Sequence, residues 1–294
     1  MPLNLPVVDA SQGVEKGALY VVATPIGNFE DITLRAIGIL SGVDMVAAED
    51  TRHTGRMLSM YNISSPLISY HDHNETERAP QFIKKLQDGV SIALVSDAGT
   101  PSVSDPGYRL ICAAIQAGVK VIPVPGVSAA IAALSVSGLP TDAFVFFGFP
   151  PKKQARRTAM LKDIENEPRT LIFYESPKRV LSFLNDVQVV LGDRSGVLCR
   201  EMTKRYEEFI RGPISKILAD LSGRKEIKGE CTLVFSGKSK DNPISAESLE
   251  PILSEYLLHT AESPGELARK IALKFGISRK TAYQMILSKK PEKQ

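Results

Sequence analysis

The chain has 294 residues, enough for about two domains with real cores, and its 43% apolar and 23% charged residues are those of an ordinary globular protein. No apolar run reaches membrane-spanning length, and Met1 to Gly17 lacks the basic start and apolar core of a secretion signal, so a cytoplasmic protein without a membrane partner is expected. The formal net charge of +3 conceals an asymmetry: residues 1–150 hold nine Lys/Arg against fourteen Asp/Glu, residues 151–240 nineteen against twelve, and residues 267–294 eight against one. Basic stretches of this kind suit a polyanionic partner.

Cys112, Cys199 and Cys231 are scattered and odd in number, which argues against a disulfide framework and for three small core residues. His71 and His73 are the one histidine pair. With no third ligand at a suitable spacing they read as part of a polar loop, and no metal is expected.

After an arm over residues 1–16, the first half alternates short apolar runs with helical patterns. Ala18 to Ala23, Met45 to Ala48, Pro66 to Tyr70, Ser91 to Val95 and Val119 to Val124 read as strands. Ile32 to Leu40, His53 to Met60, Thr76 to Gln87, Arg109 to Ala117 and Ser128 to Val136 read as helices. Such alternation implies a parallel sheet covered on both faces, here an α/β domain over 17–138. A second α/β domain over 139–238 is expected from Ala143 to Phe149, Thr170 to Tyr174, Val187 to Val190, Gly196 to Arg200, Glu207 to Gly212 and Cys231 to Ser236, all read as strands. The turn-rich segment 237–245 reads as a linker. Beyond it, helical patterns over Glu247 to His259, Pro264 to Lys274 and Ser278 to Ser288 predict a small helical domain over 246–290. Ser263 is placed to cap the second of these, Gly276 to form the turn, and Ser278 to cap the third. With the basic Arg279 and Lys280, the last two helices read as a helix-turn-helix that meets nucleic acid.

Each strand of the first domain ends in a loop of unusual composition: ATPIGN, EDTRH, HDHNE, SDAGTP and PVPGVSAA. Parallel strands share a direction, so the five loops gather on one edge of the sheet, where open α/β sheets bind ligands. The fourth is the most informative. SDAGTPSVSDPG carries two acids, two glycines and two prolines, more than a helix cap needs. It has neither the Gly-Lys-Ser/Thr ending of a phosphate loop nor the G-x-G-x-x-G of a dinucleotide site.

Taken together, LYVVATPIGNFEDITLRAIGIL, AAEDTRHTGRML, ALVSDAGTPSVSDPG, VIPVPGVSAAIAAL, SGLPTDAFVFFGFPPKK, TLIFYESPKRV, CREMTKRYEEFIRG and KGECTLVF resemble the tetrapyrrole methylase superfamily. Within it they are similar to the branch that methylates a cytidine 2′-hydroxyl in 16S rRNA of the 30S subunit. The resemblance runs in order from residue 17 to 240. It implies two α/β domains of tetrapyrrole-methylase type with a cofactor cleft between them, a C-terminal helix-turn-helix domain, S-adenosylmethionine as cofactor, and a homodimer. It assigns cofactor contacts to Pro25, Asp97, Gly99, Thr100, Val103, Ser128, Ala129, Tyr174, Glu175, Cys231 and Thr232.

A ribose hydroxyl is a poor nucleophile, so a base or a cationic neighbour is expected. Asp50, Arg52, Glu175 and Lys178 rank first because they stand at predicted strand ends facing the cleft, whereas Asp97 reads as orienting the cofactor or its loop. Lys152, Lys153, Arg156, Arg157, Arg179, Arg200, Lys204 and Arg205, with Arg279 and Lys280, are the candidate RNA contacts, Lys178 adding to them and Tyr206 being available for stacking. Two other readings stand beside this one: a methylase of a tetrapyrrole or other small molecule, and a ligand-sensing, nucleic-acid-binding regulator without turnover.

Overall fold

In a computed structural model, residues 13–238, 263–275 and 279–289 are described. The first sheet consists of β1 (Leu19–Val22), β2 (Met45–Ala48), β3 (Leu67–Ser69), β4 (Ile92–Val95) and β5 (Val121–Val124), in the order β3-β2-β4-β1-β5. Every pairing is parallel. The connecting helices are α1 (Leu34–Gly42), α2 (Thr51–Met60), α3 (Glu75–Gln87), α4 (Tyr108–Gln116) and α5 (Ala129–Ser135).

Strand β4 shows why these short runs form strands. Ala93 and Val95 enter one core with residues of α1 and α2, while Ile92 and Leu94 enter another with Phe82 and Leu86 of α3 and Leu110 and Ala114 of α4. With side chains alternating between two covered faces, every residue of β4 is apolar and buried. The five carboxyl-end loops therefore lie along one edge, as the alternation in sequence predicts.

The second sheet is mixed. It contains β6 (Phe144–Phe146), β7 (Thr170–Glu175), β8 (Ser195–Arg200), β9 (Glu208–Pro213) and β10 (Cys231–Phe235), in the order β6-β7-β10-β8-β9. Only β6 and β7 run parallel; β10 inserts between β7 and β8 and pairs antiparallel with both. Helices α6 (Gln154–Asp163), α7 (Val180–Leu191) and α8 (Ile214–Ser222) supply the core on one face.

The expected strand at Val187 to Val190 is the last part of α7. Val180, Phe183, Leu184, Val187 and Leu191 are its buried positions, a spacing of three and four that puts them on one helical stripe. The β-branched VQVV run is dense enough in valine to imitate a strand, but its burial follows the helix.

The other face of the second sheet, formed by Ile172, Val197, Cys199 and Val234, packs against Ala130, Ala133 and Leu134 of α5 and against Ile26 from the loop after β1. The two sheets thus share one apolar cluster and lie within one compact unit.

A second unit contains α9 (Pro264–Phe275) and α10 (Arg279–Lys289). The Ser263 hydroxyl accepts from Glu266 N and donates to the Glu266 carboxylate, closing the predicted cap. Leu267, Ala268 and Ile271 meet Ala282 and Ile286, and the fully buried alanines let the two helices approach closely. The expected helix over 247–259, the turn at Gly276 and Ser278, the side chain of Lys280 and the arm before residue 13 lie outside the described residues.

Candidate active site

A cavity of about 310 Å³ opens where the carboxyl-end loops of the first sheet face the second sheet. Ile26 comes from the loop after β1; Ala98, Gly99, Thr100, Val103 and Asp105 from the loop after β4; and Ser128 and Ala129 from the start of α5. The second sheet supplies Phe149, the run Tyr174 to Pro177, Met202, and Glu230 to Thr232. No lysine or arginine is among these lining residues.

The loop after β4 is pinned on both flanks. Gly99 and Thr24 exchange backbone hydrogen bonds in both directions, at 2.8 and 3.0 Å, which ties the loop to the end of β1. On the other side Asp97 Oδ1 accepts from Asp50 N at 3.1 Å, and Asp97 N donates to the Glu49 carboxylate at 3.3 Å. The Thr100 hydroxyl donates to the Val127 carbonyl at 3.1 Å, joining this loop to the one that begins α5.

Among the described residues, five other than glycine have positive φ, and four of them flank the cleft. Ser102 (φ 67°) and Ser104 (φ 68°) lie in the loop after β4; Glu201 (φ 52°) and Thr203 (φ 65°) lie in the loop after β8. Left-handed conformations of this kind cost of order 1 kcal/mol each and collect at ligand clamps. The two loops reach toward opposite partners. A Cβ on Gly148 would come within 2.5 Å of Ser104 Oγ, and Asn28 N donates to Thr203 Oγ1 at 3.0 Å.

Tyr174 forms a wall. Its hydroxyl accepts from Ala130 N at 3.1 Å, and its ring meets those of Phe146 and Phe149 with centroids at 4.9 and 5.6 Å. Burial raises the phenol's pKa, so it stays neutral. Burial also pushes the Cys231 thiol up to about 12, making it a neutral apolar surface and not a nucleophile. Glu175, beside Tyr174, has a fully buried side chain paired with Arg179 through bonds of 2.8 and 2.6 Å; it also accepts from Ser176 N at 2.7 Å.

The structure therefore brings Gly99, Thr100, Val103, Ser128, Ala129, Tyr174, Glu175, Cys231 and Thr232 around one cavity. Pro25 and Asp97 stand behind it, the former buried and the latter engaged with the loop after β2. Of the four catalytic candidates, Glu175 lines the cavity and Asp50, Arg52 and Lys178 do not. Asp50 caps α2 by accepting from Arg52 N and His53 N, and it pairs with the exposed Arg52 guanidinium at 2.8 Å, which holds its carboxyl well below the usual range. Lys178 is exposed just outside the lining, and Glu175 is neutralised by Arg179.

The basic candidates divide in the same way. Arg157 is 5% exposed and bonded to Asp186 at 2.5–2.6 Å, so its guanidinium is committed to the interior and unavailable to phosphate. Arg179 serves Glu175 and the Pro150 carbonyl, Arg200 serves Glu208, and Lys204 bridges Glu201 and Glu230. Lys152, Lys153, Arg156, Lys178 and Arg205 are exposed and carry no ion pair among the described residues. Arg205 lies 5.7 Å from the ring of Tyr206, itself well exposed. Arg279 is exposed on α10.

This division predicts opposite phenotypes for neighbouring residues. Arg157→Ala leaves the largely buried Asp186 with the Gln154 amide in place of its cationic partner and is expected to cost about 3 kcal/mol of stability. Lys152→Ala, Lys153→Ala and Arg156→Ala should stay within about 0.5 kcal/mol of the parent. Urea unfolding of the four variants tests the contrast.

Sequence reasoning passes over Ile26, Ala98, Asp105, Phe149, Met202 and Glu230 as site residues. The apolar ones look like core in sequence, and Ile26 and Met202 are indeed buried, whereas Phe149 is more than half exposed. Asp105 was visible in sequence as one of the two acids of the SDAGTPSVSDPG loop; the left-handed Ser102 and Ser104 that precede it appear only in the structure.

Comparison with known proteins agrees with this architecture. The family model described as Tetrapyrrole (Corrin/Porphyrin) Methylases matches residues 18–218. Two solved structures share the fold. One is uroporphyrin-III-C-methyltransferase from Thermus thermophilus, with a TM-score of 0.54 and 22% identity, covering 75% of this chain and 94% of that one. The other is a cobalt precorrin-4 methyltransferase, with a TM-score of 0.57 and 16% identity, covering 75% and 95%. Much higher identity relates the chain to proteins named ribosomal RNA small subunit methyltransferase I. The relative from Escherichia coli O157:H7 is 45% identical over 276 residues, spanning 92% of this chain and 95% of that relative. That from Synechocystis sp. is 46% identical over 274 residues, spanning 92% and 98%. The chain belongs to the tetrapyrrole methylase superfamily and, within it, to the ribosomal RNA small subunit methyltransferase I family.

Proposed function

We propose that the protein transfers a methyl group from S-adenosylmethionine to the ribose 2′-hydroxyl of a cytidine in 16S rRNA, on the 30S subunit, and that it works as a cytoplasmic homodimer. The observation that carries this reading is a cavity without basic lining beside a rim of unpaired basic side chains. A phosphate-bearing cofactor would be poorly served inside such a cavity, whereas a cation with an uncharged adenosine fits it. Glu175 and Glu230 are already countered by Arg179 and Lys204, so the lining is close to neutral apart from Asp105.

A cavity of this volume lies at the small end of the range for ligand sites and has room for one cofactor. Bound there, S-adenosylmethionine supplies a methyl carbon activated by the sulfonium. The backbone around Ala98 and Gly99 is fixed by the Thr24 bridge and can hold the ligand without side-chain reorganisation. Thr100, Ser128 and Thr232 offer hydroxyls, Val103 and Ala129 apolar contact, and Tyr174 a rigid wall, while Ile26, Met202 and Phe149 keep water out. Lys152, Lys153, Arg156, Lys178 and Arg205 then hold phosphates outside, and Phe149, more than half exposed, and Tyr206 offer faces for an unstacked base.

The test is transfer of tritiated methyl from S-adenosylmethionine into purified 30S particles lacking the modification, beside free tetrapyrroles and no acceptor. Label should appear in 16S rRNA alone and should protect one phosphodiester from alkaline cleavage, because a methylated 2′-oxygen cannot attack it. Label in a base, or in a tetrapyrrole, would replace this reading with another.

A further inference from the structure

We propose that Asp105 is the base that takes the proton from the acceptor hydroxyl. The inference rests on the methyl-transfer reading above and assigns the proton-transfer step left open there. Three carboxylates line the cavity. Glu175 is bonded to Arg179 and to Ser176 N, and Glu230 is bonded to Lys204. Asp105 alone has no cationic partner among the described residues.

Its surroundings come from several elements, and nearly all oppose its charge. Glu49 at the end of β2, Asp72 in the loop after β3 and Asp97 at the end of β4 repel it, and the body of the loop desolvates it. The Ser96 hydroxyl stabilises the carboxylate, and the Tyr174 phenol faces it from β7 in neutral form. Burial is the largest of these influences; with the three acids it raises Asp105 to about 7. A base poised near the working pH combines adequate ionisation with adequate proton affinity.

The backbone holds this carboxyl in place. Ser102 and Ser104 are left-handed on its N-terminal side, Ser102 N closes the loop onto the Pro106 carbonyl at 3.2 Å, and Pro106 fixes the chain that follows. In the step proposed, the hydroxyl oxygen bonds to the methyl carbon as the carbon–sulfur bond breaks and its electron pair stays on sulfur. The hydroxyl proton passes to Asp105, which later releases it to solvent. The products are the methyl ether and neutral S-adenosylhomocysteine, so no oxidant or further reactant is needed.

The experiment measures single-turnover methyl transfer into unmodified 30S particles across about pH 5.5–8.5, for the parent, Asp105→Asn and Glu49→Gln, with S-adenosylhomocysteine affinity measured by calorimetry. The parent rate should rise with a midpoint near 7. Asp105→Asn should lower the plateau by about 10²–10⁴-fold and flatten the profile, while ligand affinity changes by less than about tenfold. Glu49→Gln removes a like charge, so it should keep a rising limb and move its midpoint downward. Thermal melts add a readout independent of turnover. A carboxyl raised by folding contributes stability that is present below its unfolded pKa, near about 4, and lost as pH rises through 7. Asp105→Asn should therefore melt above the parent at about pH 8, the gap closing as pH falls through that window.

Full turnover by Asp105→Asn would overturn the inference, as would a loss of ligand affinity matching the loss of rate, which marks a cofactor-holding residue. No label from the parent in any RNA would remove the functional reading and this inference together. Should Asp105→Asn fail to fold, the carbon-13 titration of the Asp105 carboxyl in the full-length parent decides: a midpoint near about 4 overturns the inference.

Discussion

Arg179→Ala is expected to be among the most damaging single changes in the chain, costing about 3–5 kcal/mol of unfolding free energy. The Glu175 side chain is fully buried at the end of β7, and Arg179 is its cationic partner, four residues on and about one-fifth exposed. Removing the arginine leaves an uncompensated carboxylate against the cavity. Removing the acid instead leaves a guanidinium that still bonds the Pro150 carbonyl and reaches water. The cycle should therefore be asymmetric, with Glu175→Gln milder than Arg179→Ala and the double variant more stable than Arg179→Ala alone. Urea unfolding of the four proteins measures the coupling. A near-neutral Arg179→Ala would show that Glu175 gains solvent through the cavity and that the pair is not what holds the FYES corner.

Gly99→Val should weaken ligand binding more than it destabilises the protein. Gly99 has φ 80°, and the two backbone bonds it exchanges with Thr24 require that conformation. Space is not the obstacle, since an added Cβ would lie 3.5 Å from Ile26 Cγ2, an ordinary contact. The cost is the left-handed backbone of a β-branched residue, about 1–3 kcal/mol, which the loop can relieve only by leaving β1. Because the cavity floor is this stretch of backbone, S-adenosylhomocysteine affinity is expected to fall by about 10–100-fold while the melting temperature drops by a few degrees. Gly99→Ala, without the branch, should fall between. Calorimetry and thermal melts on the same samples test the order.

The first sheet was legible in sequence because its strands are buried on both faces and so read as unbroken apolar runs between turn residues. Parallel direction then placed their loops together, and the residues that line the cavity from SDAGTP and PVPGVSAA follow from that placement. The second sheet was harder for two physical reasons. Its helices α6, α7 and α8 fall between strands of similar apolar density, and at Val187 to Val190 a four-residue window contains more strand-like than helix-like information. Its order depends on β10 inserting between β7 and β8, a pairing across more than fifty residues from β7 that no local pattern encodes. In the site itself, polar residues at loop ends announced themselves, but ion pairing did not. Arg157, Arg179, Arg200 and Lys204 have the same composition signal as Lys152 and Lys153, and only the position of Asp186, Glu175, Glu208, Glu201 and Glu230 separates those that face inward from those free to meet phosphate.

Strand β4 occupies the middle of its sheet, flanked by β2 and β1, and the loop it launches is tied to the ends of both. A ligand arriving at Ala98 and Gly99 therefore meets a platform whose peptide groups have already lost their freedom. Little ordering remains to be done there at the moment of association, so the entropic toll of capture falls on the ligand itself. The protein settled its share of that cost when the sheet was built.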